Sequence, residues 1–161
     1  MKSKPSQTDR LLTWLAGGLA TLVTLALPAA FFFWSYQSRS GALESETRIA
    51  SIAVTEYISH NAGLWRFESE RLEAVLRKYV DPQHSSAVID QNGTRIAHLA
   101  PPELIAPTLS HVHPIYDFGV ETGMVVVVVS LNDLVVETTL IALVGLALGL
   151  LAGGSLGLLE Y

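Results

Sequence analysis

Apolar residues concentrate at the two ends of this chain, whereas its middle mixes apolar and polar positions in short periods. The longest apolar run, residues 138–159, contains no charged side chain and is bounded by Glu137 and Glu160. About 20 helical residues cross the roughly 30 Å hydrocarbon core of a bilayer. The run therefore predicts a membrane-spanning helix.

A second apolar run covers residues 11–34 and follows a short basic tail, residues 1–10. Basic residues beside a first span favour a cytoplasmic N-terminus, so residues 35–137 are expected to lie in the periplasm. Residues 28–30 resemble a cleavage region, which leaves a cleaved signal peptide as the alternative, but the apolar run continues beyond them. We predict two retained spans in a bacterial inner membrane, with residues 160–161 back in the cytoplasm.

Four glycines recur at every fourth position of the second span: Gly145, Gly149, Gly153 and Gly157. Because positions i and i+4 share a helix face, they form one strip of small residues. Helices in lipid associate through close contact of such residues, so the strip predicts a packing face, with glycine-rich composition alone as the alternative. Its partner is either the same helix of a second subunit or the first span of this chain.

Apolar positions with a helical period predict two helices in the middle segment. The first continues outward from the first span over residues 35–60, and the second covers residues 67–79. One seam of the first helix is apolar with heptad-like spacing: Leu43, Ala50, Val54 and Tyr57. The seam predicts a two-stranded coiled coil, with packing on the domain's own sheet as the alternative.

Short apolar runs after the second helix predict an antiparallel sheet. Residues 86–90 and 94–99 are expected to form a hairpin. They flank Asn92 and Gly93, a dipeptide that accepts the positive φ angles of a tight turn.

Two further strands, residues 108–116 and 122–130, are predicted around a loop at residues 117–121, after a short helical turn at residues 103–106. Residues 124–129 are apolar at every position, which predicts a central strand buried on both faces. The fold class is therefore an α+β membrane protein. Two transmembrane helices flank a small antiparallel-sheet domain that has a long N-terminal helix.

Ser130 followed by Asp133 resembles a capping box, so a helix is expected to begin there and to run directly into the second span. The central strand and the span are then joined within a few residues. Movement of the sheet can therefore be transmitted as a shift or rotation of the helix.

The middle segment is acidic, with 13 Asp and Glu against 7 Arg and Lys over residues 37–137. It has no basic patch, which argues against nucleic acid as a partner. The chain has no cysteine, so disulfides and thiolate chemistry are excluded. No phosphate-binding loop, nucleophile elbow or metallohydrolase motif occurs, so neither catalysis nor a cofactor is predicted.

The candidate ligand-binding residues are Arg95, His98, His111 and His113. His111 and His113 are two apart on a predicted strand and therefore share a face. They suit a metal ion with His98 or Asp117 as third ligand, or a proton-sensing role near neutral pH. Surface histidines without a ligand are the simplest interpretation, so no metal site is predicted. Arg95 either binds a carboxylate ligand or is solvated.

The order of these parts resembles a known architecture. A basic tail and a span lead into a long helix, a small domain with VIDQNG in its first hairpin, a strand region reading ETGMVVVVVSLNDL, and a second span. This is similar to the extracytoplasmic sensor portion of bacterial membrane receptors, the histidine kinases and diguanylate cyclases with a PAS-like (PDC, or Cache) domain. The resemblance implies a homodimer, a periplasmic small-ligand or protein signal, and a cytoplasmic output domain following Tyr161.

Two other classes of function remain open from the sequence. A structural or assembly subunit would use the glycine strip to hold a larger membrane complex. An exported enzyme or binding protein anchored at the membrane would need a pocket with perturbed titratable groups, for which the sequence gives no indication.

Overall fold

Within residues 7–100 and 104–158, which the computed structural model describes, the chain forms three α-helices and one four-stranded antiparallel sheet. Side-chain surroundings are described for residues 14–15, 17–100 and 104–150. The elements in chain order are α1 (Gln7–His60), a 3₁₀ turn (Trp65–Phe67), α2 (Ser69–Tyr79), β1 (Ser85–Asp90), β2 (Arg95–Leu99), β3 (Thr108–Asp117), β4 (Val120–Ser130) and α3 (Asn132–Leu158). The predicted α+β class is confirmed.

The chain divides into two compact units. Residues Tyr36–Asp133 form one unit, here named the sheet domain, which contains the sheet, α2 and part of α1. The second unit contains the remainder of α1 and nearly all of α3. Two helical stretches, Gly17–His60 and Asn132–Leu150, are long and apolar enough to cross a membrane by length and composition.

The strands are ordered β2-β1-β4-β3, and every neighbouring pair is antiparallel. Gly93 lies at φ +78° in the predicted β1–β2 turn. The β3–β4 turn is tighter than the predicted loop, because Asp117 pairs with Val120 and only Phe118 and Gly119 lie between them. Both turn residues have positive φ, the geometry that matches the twist of the flanking strands.

One face of α1 packs on the sheet. The seam residues Leu43, Ala50 and Val54 are buried, together with Ile58, in the core of the sheet domain. They share this core with residues of α2 and of the sheet: Leu72, Leu76, Val88, Ile115, Val125 and Val127. The coiled-coil interpretation of the seam is therefore wrong, because the domain's own elements already cover it.

Strand β4 is central, as predicted, but only one of its faces is closed. Val125 and Val127 are fully buried on the face toward the core. Val126 points to the other face and is half-buried, and its partner Val112 on β3 is 54% exposed. Burial on both faces is thus contradicted. An all-valine run places apolar groups on both sides of a strand, so composition alone does not reveal the open side.

The predicted helical turn at residues 103–106 is wrong for its three described residues, which are irregular; its first residue lies outside the described part of the chain. The segment instead holds the end of β4. The Ser130 hydroxyl donates to the Ile105 carbonyl at 2.6 Å, and the Leu131 N–H donates to the Pro107 carbonyl at 2.7 Å. Carbonyls of an irregular segment need such partners because no helix ladder satisfies them.

Helix α3 begins where the sequence predicts. Only Leu131 separates its first residue, Asn132, from the last residue of β4. The Ser130 hydroxyl oxygen accepts a hydrogen bond from the Asn132 N–H at 3.2 Å. This oxygen therefore satisfies one of the backbone donors that a helix N-terminus leaves unpaired.

The glycine strip of α3 faces α1 of the same chain. A Cβ atom added to Gly145 would lie 3.4 Å from Thr24 Cγ2, and one added to Gly149 would lie 3.8 Å from Thr24 Oγ1. Of the two partners that the sequence left open, the contact at these glycines is therefore with the first predicted span. Gly153 and Gly157 lie outside the residues whose side-chain surroundings are described.

A chain with Thr24→Cys and Gly145→Cys is expected to form an intramolecular disulfide on mild oxidation. The natural chain has no cysteine, and the two positions are in van der Waals contact. Mass spectrometry of the unreduced, proteolysed chain detects the linked peptide. Thr24→Cys with Leu143→Cys is the control, because Leu143 is 56% exposed on α3. Disulfides formed only between two chains would contradict this packing.

Candidate functional site at the contact between α1 and β3

Strand β3 lies at one edge of the sheet, and two of its histidines point to the core face. His111 pairs with Val127 and His113 pairs with Val125, and both valines are buried. The prediction that the two histidines share a face is confirmed. The sequence did not reveal that this face is the one against which α1 packs.

Two serines of α1 contact these histidines. Ser40 Oγ lies 3.1 Å from His111 Nε2, and Ser51 Oγ lies 3.3 Å from His113 Nδ1. Ser51 is buried and donates its hydroxyl hydrogen to the Pro114 carbonyl at 2.6 Å. Because a hydroxyl has one hydrogen, Ser51 Oγ accepts from His113, whose Nδ1 therefore carries a proton.

A third hydroxyl extends the contact along β3. Thr55 Oγ1 accepts a hydrogen bond from the Tyr116 N–H at 3.3 Å. Ser51 and Thr55 are four residues apart on α1, and Pro114 and Tyr116 are two apart on β3, so each pair lies on one face of its element. Helix α1 therefore bonds the backbone of this edge strand as well as its histidines.

These contacts between hydroxyls and imidazoles suit small shifts of α1 against β3 more than they suit catalysis. Ser40 Oγ can donate to or accept from the His111 ring, whereas Ser51 Oγ accepts from His113. Among the described residues no carboxylate bonds either ring, so a nucleophile–base relay is not assembled there.

The other two predicted ligand-binding residues lie at the opposite edge of the sheet, on β2. His98 is exposed and pairs with Ala87, which points away from the α1 side. Arg95 is exposed at the start of β2. The structure therefore does not bring His98 to His111 and His113. Across residues 7–100 and 104–158, no group of three potential metal ligands is present.

A contact between Glu46 and His84 was not predicted. His84 Nδ1 lies 2.9 Å from Glu46 Oε2, and the two side chains are 21% and 17% exposed. Glu46 belongs to α1, and His84 lies in the loop before β1. The pair is 38 residues apart in the chain, so no local pattern signals it.

A second cluster that was not predicted joins α1 to the start of α2. The Tyr57 hydroxyl donates to the Glu68 carboxylate, and Arg71 Nη1 lies 3.0 Å from Glu68 Oε1. Partial burial, with the bond to Glu68, raises the pKa of Tyr57 above its ordinary value. The interactions of Arg71 with Tyr57 and Glu68 raise the pKa of its guanidinium. Both groups therefore keep their protons near neutral pH, and the cluster holds these elements together.

The contacts of α1 with β3, with His84 and with the start of α2 are all made by residues of this one chain. No protein-family model matches the chain, and no curated protein and no solved structure is significantly similar to it.

Proposed function

We propose that this chain is the signal-sensing transmembrane module of a bacterial receptor. The N-terminus is cytoplasmic, the two apolar helices cross the inner membrane, and the sheet domain lies in the periplasm. The domain detects a small ligand or a protein signal and passes it through α3 to a cytoplasmic kinase or cyclase domain. A four-stranded antiparallel sheet with α1 and α2 contributing to its core supports the PAS-like part of this proposal.

The observation that carries the proposal is the short join between β4 and α3. Leu131 is the only residue between them and is 6% exposed. Its N–H is bonded to the Pro107 carbonyl at 2.7 Å, and the preceding Ser130 hydroxyl is bonded to the Ile105 carbonyl at 2.6 Å. Because this join is short, buried and hydrogen-bonded, a displacement of β4 also moves the start of α3.

Helix α1 supplies a second connection. It is continuous from Gln7 to His60 and so includes both a predicted span and the contact with β3. Each hydroxyl contact between α1 and β3 contributes about 1 kcal/mol, so the polar contacts can be exchanged at little cost, whereas the buried Ala50 and Val54 hold α1 on the sheet. A signal acts on such an equilibrium only if it binds one arrangement more tightly than the other. The hydroxyl contacts of Ser40, Ser51 and Thr55 therefore support only small shifts of α1 against the sheet.

Homodimerisation is part of the proposal, and α1 offers a surface for it. Ile49 and Ile52 are 52% and 57% exposed. At 100° per residue they lie on the side of α1 opposite the buried Ala50 and Val54. Exposed aliphatic side chains three residues apart on a helix suit contact with a second copy of that helix.

Ile52→Cys in the otherwise cysteine-free full chain is expected to give a disulfide-linked homodimer in membranes. We also expect the rate of crosslinking to change when one condition from a panel is applied from outside, since a signal shifts the arrangement of α1. The panel contains small carboxylates, amino acids, divalent metals and a pH series. Glu44→Cys, exposed on another side of α1, is the control and should crosslink more slowly. Crosslinking indifferent to every condition would contradict sensing of a small ligand and would leave a protein signal or the assembly subunit.

A structural or assembly subunit is the second candidate. It predicts a stable complex with other proteins. It also predicts crosslinking of Ile52→Cys that does not change with any condition of the panel. The contact of Gly145 and Gly149 with Thr24 argues against it, because this part of the strip is occupied within the chain.

A further inference from the structure

A pocket of about 310 Å³ lies in the sheet domain, away from the contact between α1 and β3. It is bounded by the end of α2, the loop that leads to β1, the start of β1 and the end of β2. Its wall combines polar and apolar groups, among them Arg77, Val80, Asp81, His84, Ser86 and Leu99. A concave site with a few polar groups on an apolar wall is the usual form of a small-molecule site.

Ser86 is the most informative residue of this wall. It is 1% exposed, and its hydroxyl has no hydrogen-bond partner among the described residues. Its backbone belongs to β1, where it pairs with Leu99 and Val127 on the core face. A buried hydroxyl without a protein partner destabilises a fold, so the Ser86 hydroxyl is a donor that an acceptor in the pocket would satisfy.

The histidine of the wall is held by α1. Glu46 accepts from His84 Nδ1 at 2.9 Å and from the Asp81 N–H at 2.6 Å. Nδ1 of His84 is therefore occupied, which leaves Nε2 as the ring nitrogen for a ligand. The Asp81 carboxylate accepts from the Gln83 N–H at 2.8 Å and so shapes the same loop. Two of the groups that line the pocket are thus fixed by one side chain of α1.

Arg77 supplies the positive charge. It is exposed near the C-terminal end of α2, and among the described residues no carboxylate pairs with it. A guanidinium presents two parallel N–H groups that match the two oxygens of a carboxylate. Asp81 and Glu46 lie close by, so a multiply charged anion such as phosphate is disfavoured relative to a single carboxylate.

We infer that this pocket binds a small monocarboxylate with a short apolar body. Its carboxylate pairs with Arg77 and accepts a hydrogen bond from the Ser86 hydroxyl. The apolar body lies against Val80 and Leu99. The role of this ligand as a receptor signal rests on the function proposed above. Its binding is measured independently of that function.

Butyrate is the probe, and binding is measured by equilibrium dialysis of the labelled compound against the full chain in lipid nanodiscs. The natural chain is expected to show saturable binding of butyrate, with inorganic phosphate a poor competitor. Arg77→Gln should weaken binding about tenfold or more, because a charge-assisted pair is lost. Lys78→Gln removes the same charge one residue further along α2, outside this pocket, and should leave binding unchanged. No saturable binding, or equal loss in both variants, would overturn the site.

Ser86→Ala supplies a second readout that a purely structural residue would not give. It should weaken butyrate binding several-fold and also raise the midpoint of thermal unfolding without ligand, because the unpartnered hydroxyl is gone. Unchanged affinity in this variant would contradict the proposed role of Ser86.

The proposed binding site and the proposed sensor function are contradicted by different outcomes. Butyrate that binds but leaves the crosslinking of Ile52→Cys unchanged would support the site and contradict butyrate as a receptor signal. Absent binding, with crosslinking that responds to another condition, would contradict the site and support the sensor.

Discussion

Gly123→Ala is expected to lower the free energy of unfolding of the sheet domain by about 3 kcal/mol or more. A Cβ atom at this position would lie 2.3 Å from the Ile89 carbonyl oxygen and 3.1 Å from Asp90 Cα. Both atoms belong to the backbone of β1, so no side chain can rotate to make room. Gly123 also pairs with Ile115 of β3, which holds it from the other side. The strand pairing at the centre of the sheet must therefore open to admit the methyl group.

Urea unfolding of the segment 36–133 measures this loss. Trp65 is the only tryptophan in that segment, and its burial makes its fluorescence a probe of folding. Gly41→Ala is the matched control, because a Cβ there meets nothing within 4 Å and the residue lies in α1. It should stabilise the segment by up to about 1 kcal/mol. A Gly123→Ala variant as stable as the natural segment would contradict the close approach of β4 to β1.

Trp65→Ala is expected to destabilise the sheet domain by about 3–5 kcal/mol. Trp65 is 1% exposed and is among the largest fully buried side chains of the described residues. It lies in the 3₁₀ turn between α1 and α2, where it belongs to the same core cluster as residues of both helices. Its removal leaves a cavity that the surrounding backbone cannot fill, because that backbone is tied to both helices.

The same turn contains the control for this prediction. Phe67 is two residues further on and is 85% exposed. Phe67→Ala should change the free energy of unfolding by no more than about 0.5 kcal/mol. Circular dichroism replaces fluorescence here, because Trp65→Ala removes the probe. Equal losses in the two variants would contradict the orientation of the 3₁₀ turn.

Local patterns in the sequence predicted most of the elements. Helices α1 and α2 follow from apolar positions at helical spacing, and the β1–β2 turn follows from Asn92 and Gly93. The start of α3 near Ser130 follows from its capping signal. Each of these signals acts within a few residues, so it does not depend on contacts with distant segments of the chain.

The contacts between distant segments were not predictable in the same way. The strand order separates His98 from His111 by the full width of the sheet, and no local signal sets that order. The β3–β4 turn contains Phe118 at φ 46°, a conformation usually taken by Gly, Asn or Asp. The pairing of β3 with β4 therefore imposes on Phe118 a conformation that its residue type does not favour. Ser86 gave no signal at all, because a serine on a strand is ordinary until its partners are known.

The β3 edge of the sheet is poorly suited to accept an added strand around Pro114. The outer edge of β3 contains Pro114, which has no N–H to offer a new strand. Its carbonyl is taken by Ser51, and the N–H of Tyr116 is taken by Thr55. A strand added at this part of the β3 edge would leave some of its own backbone groups unpaired. Association of two sheet domains through this part of β3 is thereby disfavoured.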